Sequence, residues 1–145
     1  MVCDEPVSAL DVSVQAQIIE LLRELQQERR LTYVFVSHNL AVVGCISDRI
    51  AVMYLGEVVE IGPAAPLLRR PQHPYTQALL SALPARRPAL RQDRIRLEGE
   101  LPSPLAPPPG CKFHTRCRHA MPRCRAEAPA LRPAEDGREV ACHLY

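Results

Sequence analysis

Hydrophobic and polar positions follow several distinct rhythms along the chain. Met1-Val2-Cys3 is apolar and stops at Asp4-Glu5-Pro6. Pro6 biases Glu5 towards extended backbone and offers no N–H to a ladder, so a short strand is predicted to end here. Val14, Ile18, Leu21, Leu22 and Leu25 then recur at helical spacing, with Glu24, Gln26, Gln27 and Glu28 on the opposite face. That period predicts an amphipathic helix over 12–29, with Asp11 or Ser13 as N-cap. Leu31-Thr32-Tyr33-Val34-Phe35-Val36 is continuous, β-branched and aromatic, which predicts a strand covered on both faces. Ser37-His38-Asn39 follows directly, and a short helix is predicted over 40–47. Arg49–Tyr54 and Glu57–Ile61 alternate around Leu55-Gly56, the pattern of a β-hairpin with Gly56 in the left-handed turn position.

Beyond Gly62-Pro63 the rhythm breaks. Residues 64–70 and 75–83 predict short helices started by Pro63 and Pro74. Residues 84–110, with Leu101-Pro102-Ser103-Pro104 and Pro107-Pro108-Pro109, predict an extended linker. Composition changes at the same place. Residues 1–62 hold 4 basic and 9 acidic side chains and 1 proline, against 14, 7 and 14 in residues 63–145. A boundary is therefore placed at 62/63.

No stretch approaches the roughly 20 apolar residues of a membrane span. The acidic N-terminus lacks the pattern of a secretory signal, which predicts a cytoplasmic chain. The arginines of the second half are scattered singly and in pairs, without interleaved aromatics, and this argues against a nucleic-acid groove.

Two features carry candidate chemistry. Asp4 and Glu5 stand at the end of one apolar strand, and His38 follows another. One helical crossover between parallel strands brings their carboxyl ends to one sheet edge, where ligands of open α/β sheets collect. There an Asp can serve a Mg²⁺ ion and a neighbouring carboxylate can polarise water. Taken alone, Asp-Glu-Pro is an ordinary solvated turn. The second feature is the run Cys111, Cys117, Cys124, Cys142, spaced C-x₅-C-x₆-C-x₁₇-C. In a cytosolic chain such thiols point to metal rather than disulfides. Zinc, an iron–sulfur cluster and unliganded thiols all remain open on spacing alone. Cys3 and Cys45, in apolar surroundings, read as small core residues.

Asp4-Glu5-Pro6-Val7-Ser8-Ala9-Leu10-Asp11-Val12-Ser13-Val14-Gln15-Ala16-Gln17 resembles the Walker B and D-loop region of ABC transporter ATPases, in the oligopeptide/dipeptide (and nickel) importer branch. Ser37-His38-Asn39-Leu40 resembles its switch-histidine loop. Ser47–Gly56 and His73-Pro74-Tyr75-Thr76-Gln77-Ala78-Leu79-Leu80 match the same branch, so the resemblance covers nearly the whole chain. It implies an α/β fold: the C-terminal part of a P-loop NTPase sheet, starting at Walker B, over 1–62. A peptide-importer extension over 63–145 would follow, small, irregular and cysteine-containing.

The resemblance also implies roles. Asp4 serves the Mg²⁺ and ATP site, Glu5 is the general base, His38 senses the γ-phosphate, and Ser8 and Asp11 lie in a loop facing a second ATPase subunit. Two permease subunits, and indirectly an extracytoplasmic binding protein, are the further implied partners. The place implied is the inner face of the plasma membrane. Asn39 departs from the family's usual Asp. Gly110–Cys117 and Val140–His143 resemble the extension on which some members carry a [4Fe-4S] cluster, held by the four cysteines. The single lysine, Lys112, leaves no place for a P-loop, and no two glycines are adjacent as the family signature needs. The chain alone is therefore expected not to bind ATP, and its unpaired sheet edge to favour aggregation. The alternative is a non-enzymatic, metal-bound docking piece with a vestigial ATPase half.

Overall fold

The computed structural model describes residues 1–83 and 94–145. Residues 84–93, the start of the expected linker, lie outside the described residues. The chain forms two compact units, Met1–Asp48 and Arg49–Tyr145. Composition changes further along, at 62/63, after a strand, Glu57–Pro63, that pairs both with Arg49–Tyr54 in the acidic half and with Glu139–Val140 in the proline-rich half.

The first unit is a crossover. Strand β1 (Val2–Asp4) leads through a turn into helix α1 (Val12–Arg29), and strand β2 (Val34–Val36) returns parallel to β1. The register is Val2↔Val34, Cys3↔Phe35 and Asp4↔Val36. Helix α1 starts where predicted: the Asp11 carboxylate accepts the Ser13 and Val14 N–H groups at 3.1 and 3.0 Å. It ends at Arg30, whose left-handed backbone (φ 51°) returns its N–H to Gln26 O. Val7, Ile19 and Ile46 form the core, with Ile18, Leu22, Tyr33, Phe35 and Val42 packed around them. The buried stripe of α1 is thus centred on Ile19, and Leu21 is exposed; of the two cysteines expected in the core, Cys3 is buried and Cys45, on the outer side of the segment that buries Val43 and Ile46, is exposed. Tyr33, just before β2, and Phe35 within it pack against the same core.

Strand β2 corrects one expectation. It is three residues long, and only one of its faces is covered. Val34 and Val36 are 59% and 47% exposed, and Val2 beside them is 71% exposed. Cys3 and Phe35 carry the other face towards α1. Helix α2 (Leu40–Ile46) closes the unit, with the Asn39 side chain accepting the Ala41 and Val42 N–H groups as its N-cap.

The second unit is built on an antiparallel sheet. Strands β3 (Arg49–Tyr54) and β4 (Glu57–Pro63) form the predicted hairpin, with a bulge at Val52/Met53. Its turn uses two left-handed residues, Leu55 (φ 45°) and Gly56 (φ 79°), the twist that a two-residue hairpin needs. Lys112 clamps the turn, its ammonium 3.1 Å from Leu55 O and 2.9 Å from the Glu57 carboxylate. Helices α3 (Ala64–Arg69), α4 (Pro74–Ser81) and α5 (Pro122–Ala126) follow. The short strands β5 (Arg132–Pro133) and β6 (Glu139–Val140) complete the order β3-β4-β6-β5. Phe113, 2% exposed, packs edge-on against Tyr54 and tilted against Tyr75 and His73.

A buried polar knot joins this sheet to α4. The Glu60 carboxylate is fully buried and accepts the Gln72 and His73 N–H groups, each at 3.0 Å. Arg138, 2% exposed, lies 3.7 Å from it and donates to Arg70 O. Gly62 is required beside them, since a Cβ there would collide with the Arg138 side chain.

Candidate catalytic edge

The parallel register of β1 and β2 carries Asp4-Glu5 and Ser37-His38 to the same carboxyl edge of the first unit. Glu5 continues the ladder by donating its N–H to Val36 O at 2.9 Å, then turns sharply. Its backbone is left-handed (φ 43°), not extended as Pro6 alone predicts. The cause is local: the Glu5 carbonyl accepts both the Ser8 N–H (3.2 Å) and the Ser8 hydroxyl (3.0 Å), which holds the turn closed. Such a conformation in a non-glycine residue is strained and persists only where neighbours enforce it.

The turn aims the Glu5 carboxylate at His38. Glu5 Oε1 and His38 Nδ1 are 2.8 Å apart, and both side chains remain open to solvent. This is the geometry of a carboxylate held in orientation by an imidazole. Asp4 sits at the last ladder position of β1, opposite Val36. Its carboxylate is exposed and makes no hydrogen bond or ion pair among the described residues. An unengaged carboxylate beside a polar pair is a donor available to a hard cation.

Ser8 and Asp11 lie on the connecting loop, and both act inward. Ser8 closes the Glu5 turn, and Asp11 caps α1. The hydrogen bonds from Ser13 and Val14 hold the Asp11 carboxyl below the usual range. Two residues without a role in the sequence reading enter here. Asn39 caps α2 and so fixes the segment that carries His38; a polar residue before Leu40-Ala41-Val42 was the available signal. Gln15 reaches back from α1 to the loop, donating to Val7 O and Leu10 O. Nothing in its position on the helix announces that.

The four cysteines gather in the second unit. Cys111 donates its N–H to Cys124 O at 2.8 Å, and Cys124 is buried. Burial pushes the Cys111, Cys117 and Cys142 thiols up, and their neighbouring thiols add to it; Cys142 feels all three of the others. Yet among the described residues no three His, Cys, Asp or Glu side chains are placed to hold one metal ion. Cys111, Cys117, Cys124 and Cys142, which spacing leaves open to zinc, an iron–sulfur cluster or no ligand at all, do not form such a group among the described residues.

Residues 59–124 match the family described as oligopeptide/dipeptide transporter, C-terminal region. A putative oligopeptide transport ATP-binding protein of Bacillus subtilis is 56% identical over 147 residues, covering 100% of this chain and 45% of that protein. A di/tripeptide transport ATP-binding protein of Pseudomonas aeruginosa is 57% identical over 143 residues, covering 99% of this chain and 44% of its own length. The chain belongs to the oligopeptide/dipeptide transport ATP-binding family. A dipeptide transport ATP-binding protein of Haemophilus influenzae is 54% identical, with 98% of this chain and 43% of that relative covered. The chain spans somewhat under half the length of these family members. Nothing in the comparisons favours the metal-docking alternative. No described helix is long and apolar enough to cross a membrane.

Proposed function

We propose that this chain supplies the metal-and-water half of an ATP-hydrolysing site in the ATP-binding subunit of a peptide importer. The observation that carries this reading is the 2.8 Å pair of Glu5 and His38 at the shared carboxyl edge of two parallel strands. Asp4 would hold Mg²⁺, which supplies charge neutralisation at the phosphates. Glu5 orients the attacking water and takes its proton. His38 steadies the Glu5 carboxylate and faces the space where a terminal phosphate would lie. Ser8 and Asp11 present the connecting loop to a second ATPase subunit.

On this reading residues 1–62 are part of the P-loop NTPase sheet of an ABC nucleotide-binding domain, and residues 63–145 are the importer-specific extension. The assembly would contain a second ATPase subunit, two permease subunits and an extracytoplasmic binding protein, with this chain on the cytoplasmic face of the membrane. Peptide relatives and the peptide-transporter match favour peptide as the cargo.

The deciding experiment places residues 1–145 in a complete subunit, in exchange for the matching stretch of the Bacillus subtilis relative. Hydrolysis of Mg-ATP should survive the exchange. Glu5→Gln should then lower kcat about 100-fold or more while ATP still binds. Unchanged turnover in that variant ends the proposal.

The thiols of Cys111, Cys117 and Cys142 each feel other thiols of the set, and this nearness favours a second, separate reading for the extension. Cys111, Cys117, Cys124 and Cys142 would hold the corners of a [4Fe-4S] cluster, whose irons each take one thiolate. Anaerobic purification tests it: a brown protein absorbing near ~400 nm is expected, and a colourless one removes the reading.

A further inference from the structure

The loop between β1 and α1 is held from one side by a single side chain. The half-buried Gln15 amide donates one N–H to Val7 O and the other to Leu10 O, both at 3.0 Å. Those carbonyls are the two ends of one turn, since Leu10 also donates its N–H to Val7 O at 3.3 Å. Gln15 has thereby used both of its amide donors on one loop.

The turn is continuous with the one that shapes Glu5. Val7 is 3% exposed and anchors the loop in the core beside Ile19. Ser8, the next residue, bonds the Glu5 carbonyl through its N–H and its hydroxyl. The strained left-handed backbone of Glu5 therefore depends on where Ser8 is held, and Ser8 lies between the two carbonyls that Gln15 fixes. Helix α1, rigid and capped by Asp11, is the body from which this hold is exerted.

We propose that Gln15 is a positioning residue for the Glu5–His38 pair, acting through the Val7–Leu10 turn and Ser8. The proposal rests on the reading of Glu5 as the base. It adds a consequence: the loop that faces a second subunit and the carboxylate that polarises water move as one body. A displacement of that loop is transmitted to Glu5 through Ser8, and Gln15 sets how far it travels.

Two substitutions in the full chain test this, followed by amide hydrogen exchange at low concentration. Gln15→Glu is isosteric, but its carboxylate cannot donate and places an anion against two carbonyl oxygens. Gln15→Lys keeps donors. In Gln15→Glu the segment 5–11 should exchange roughly tenfold faster, as the loss of two hydrogen bonds implies, while α1 keeps its protection. In Gln15→Lys both segments should exchange as in the original chain. Unchanged exchange of 5–11 in Gln15→Glu overturns the proposal. So does equal loss in both variants, or loss in 5–11 and α1 together, since each marks a helix residue with a merely structural role. These signals do not depend on ATP turnover, so an inactive Glu5 in the assay above would leave them as predicted here.

Discussion

Glu5 Oε1 and His38 Nδ1 meet at 2.8 Å across an interval of 33 residues. Two short parallel strands bring them together, and nothing else bonds either side chain among the described residues. The pair is therefore sensitive to loss of one member. In a complete subunit carrying this chain, His38→Ala should leave ATP binding intact and lower kcat roughly 100-fold, the cost of a misplaced reacting group. Steady-state kinetics with separate kcat and KM for Mg-ATP check it; a rise in KM with kcat unchanged would contradict the assignment.

The second unit should be acid-sensitive through His73. Burial pushes this imidazole down to about 4, below its ordinary 6.5. The folded state thus binds fewer protons than the unfolded one between those values, and stability rises with pH across that window. As pH falls from about 6.5 to about 4, roughly 3 kcal/mol should be lost. His73 Nδ1 accepts the Tyr75 N–H at 3.1 Å, a bond that protonation removes. His73→Asn, a neutral N-cap, should flatten the acid limb of a denaturation series taken at several pH values.

The Glu60 carboxylate holds two backbone N–H groups and faces Arg138 without access to water. Glu60→Ala leaves two buried amides without an acceptor and takes from the buried Arg138 guanidinium one of its two carboxylate partners, Asp136 at 3.5 Å being the other. A loss of about 3–5 kcal/mol is expected, measured by urea denaturation. A loss below about 1 kcal/mol would mean the knot is not the tie between β4 and α4 described above.

Phe113 fills the centre of the aromatic cluster of the second unit. Phe113→Ala should cost about 3–5 kcal/mol, and Phe113→Leu clearly less. Near-ultraviolet circular dichroism should lose its tyrosine signal with the alanine variant, since Tyr54 and Tyr75 both pack on that ring.

The bare face of β1 and β2 should drive association of the isolated chain. Val2, Val34 and Val36 form one apolar stripe in water. Val34→Lys should raise the concentration at which light scattering appears, without lowering the melting temperature. Equal scattering by both proteins would show that another surface is responsible.

Sequence period alone was enough for α1 and for the β3–β4 hairpin, because each buries a single face of its own residues. The same logic failed for β2. An unbroken run from Leu31 to Val36 states that both faces are apolar, but the partner for one face is not among the described residues. The edge was legible from motif order, since strand–helix–strand fixes which ends of Asp4-Glu5 and Ser37-His38 coincide. The left-handed Glu5 was not: Pro6 argues for extended backbone, and only the Ser8 bonds reverse it. The cysteine spacing likewise names four thiols without saying whether they converge, and among the described residues no three of them form a metal-holding group.

Lys112 carries the chain's single side-chain amine, and that amine is spent on the hairpin turn. Among side-chain amines, acylating reagents consequently meet one target, a partly covered ammonium whose capture would release Leu55 and Glu57. Amine-directed coupling or tagging thus reports on the integrity of the β3–β4 bend, and a surface attachment that spares the fold has to run through arginine, carboxyl or thiol chemistry instead.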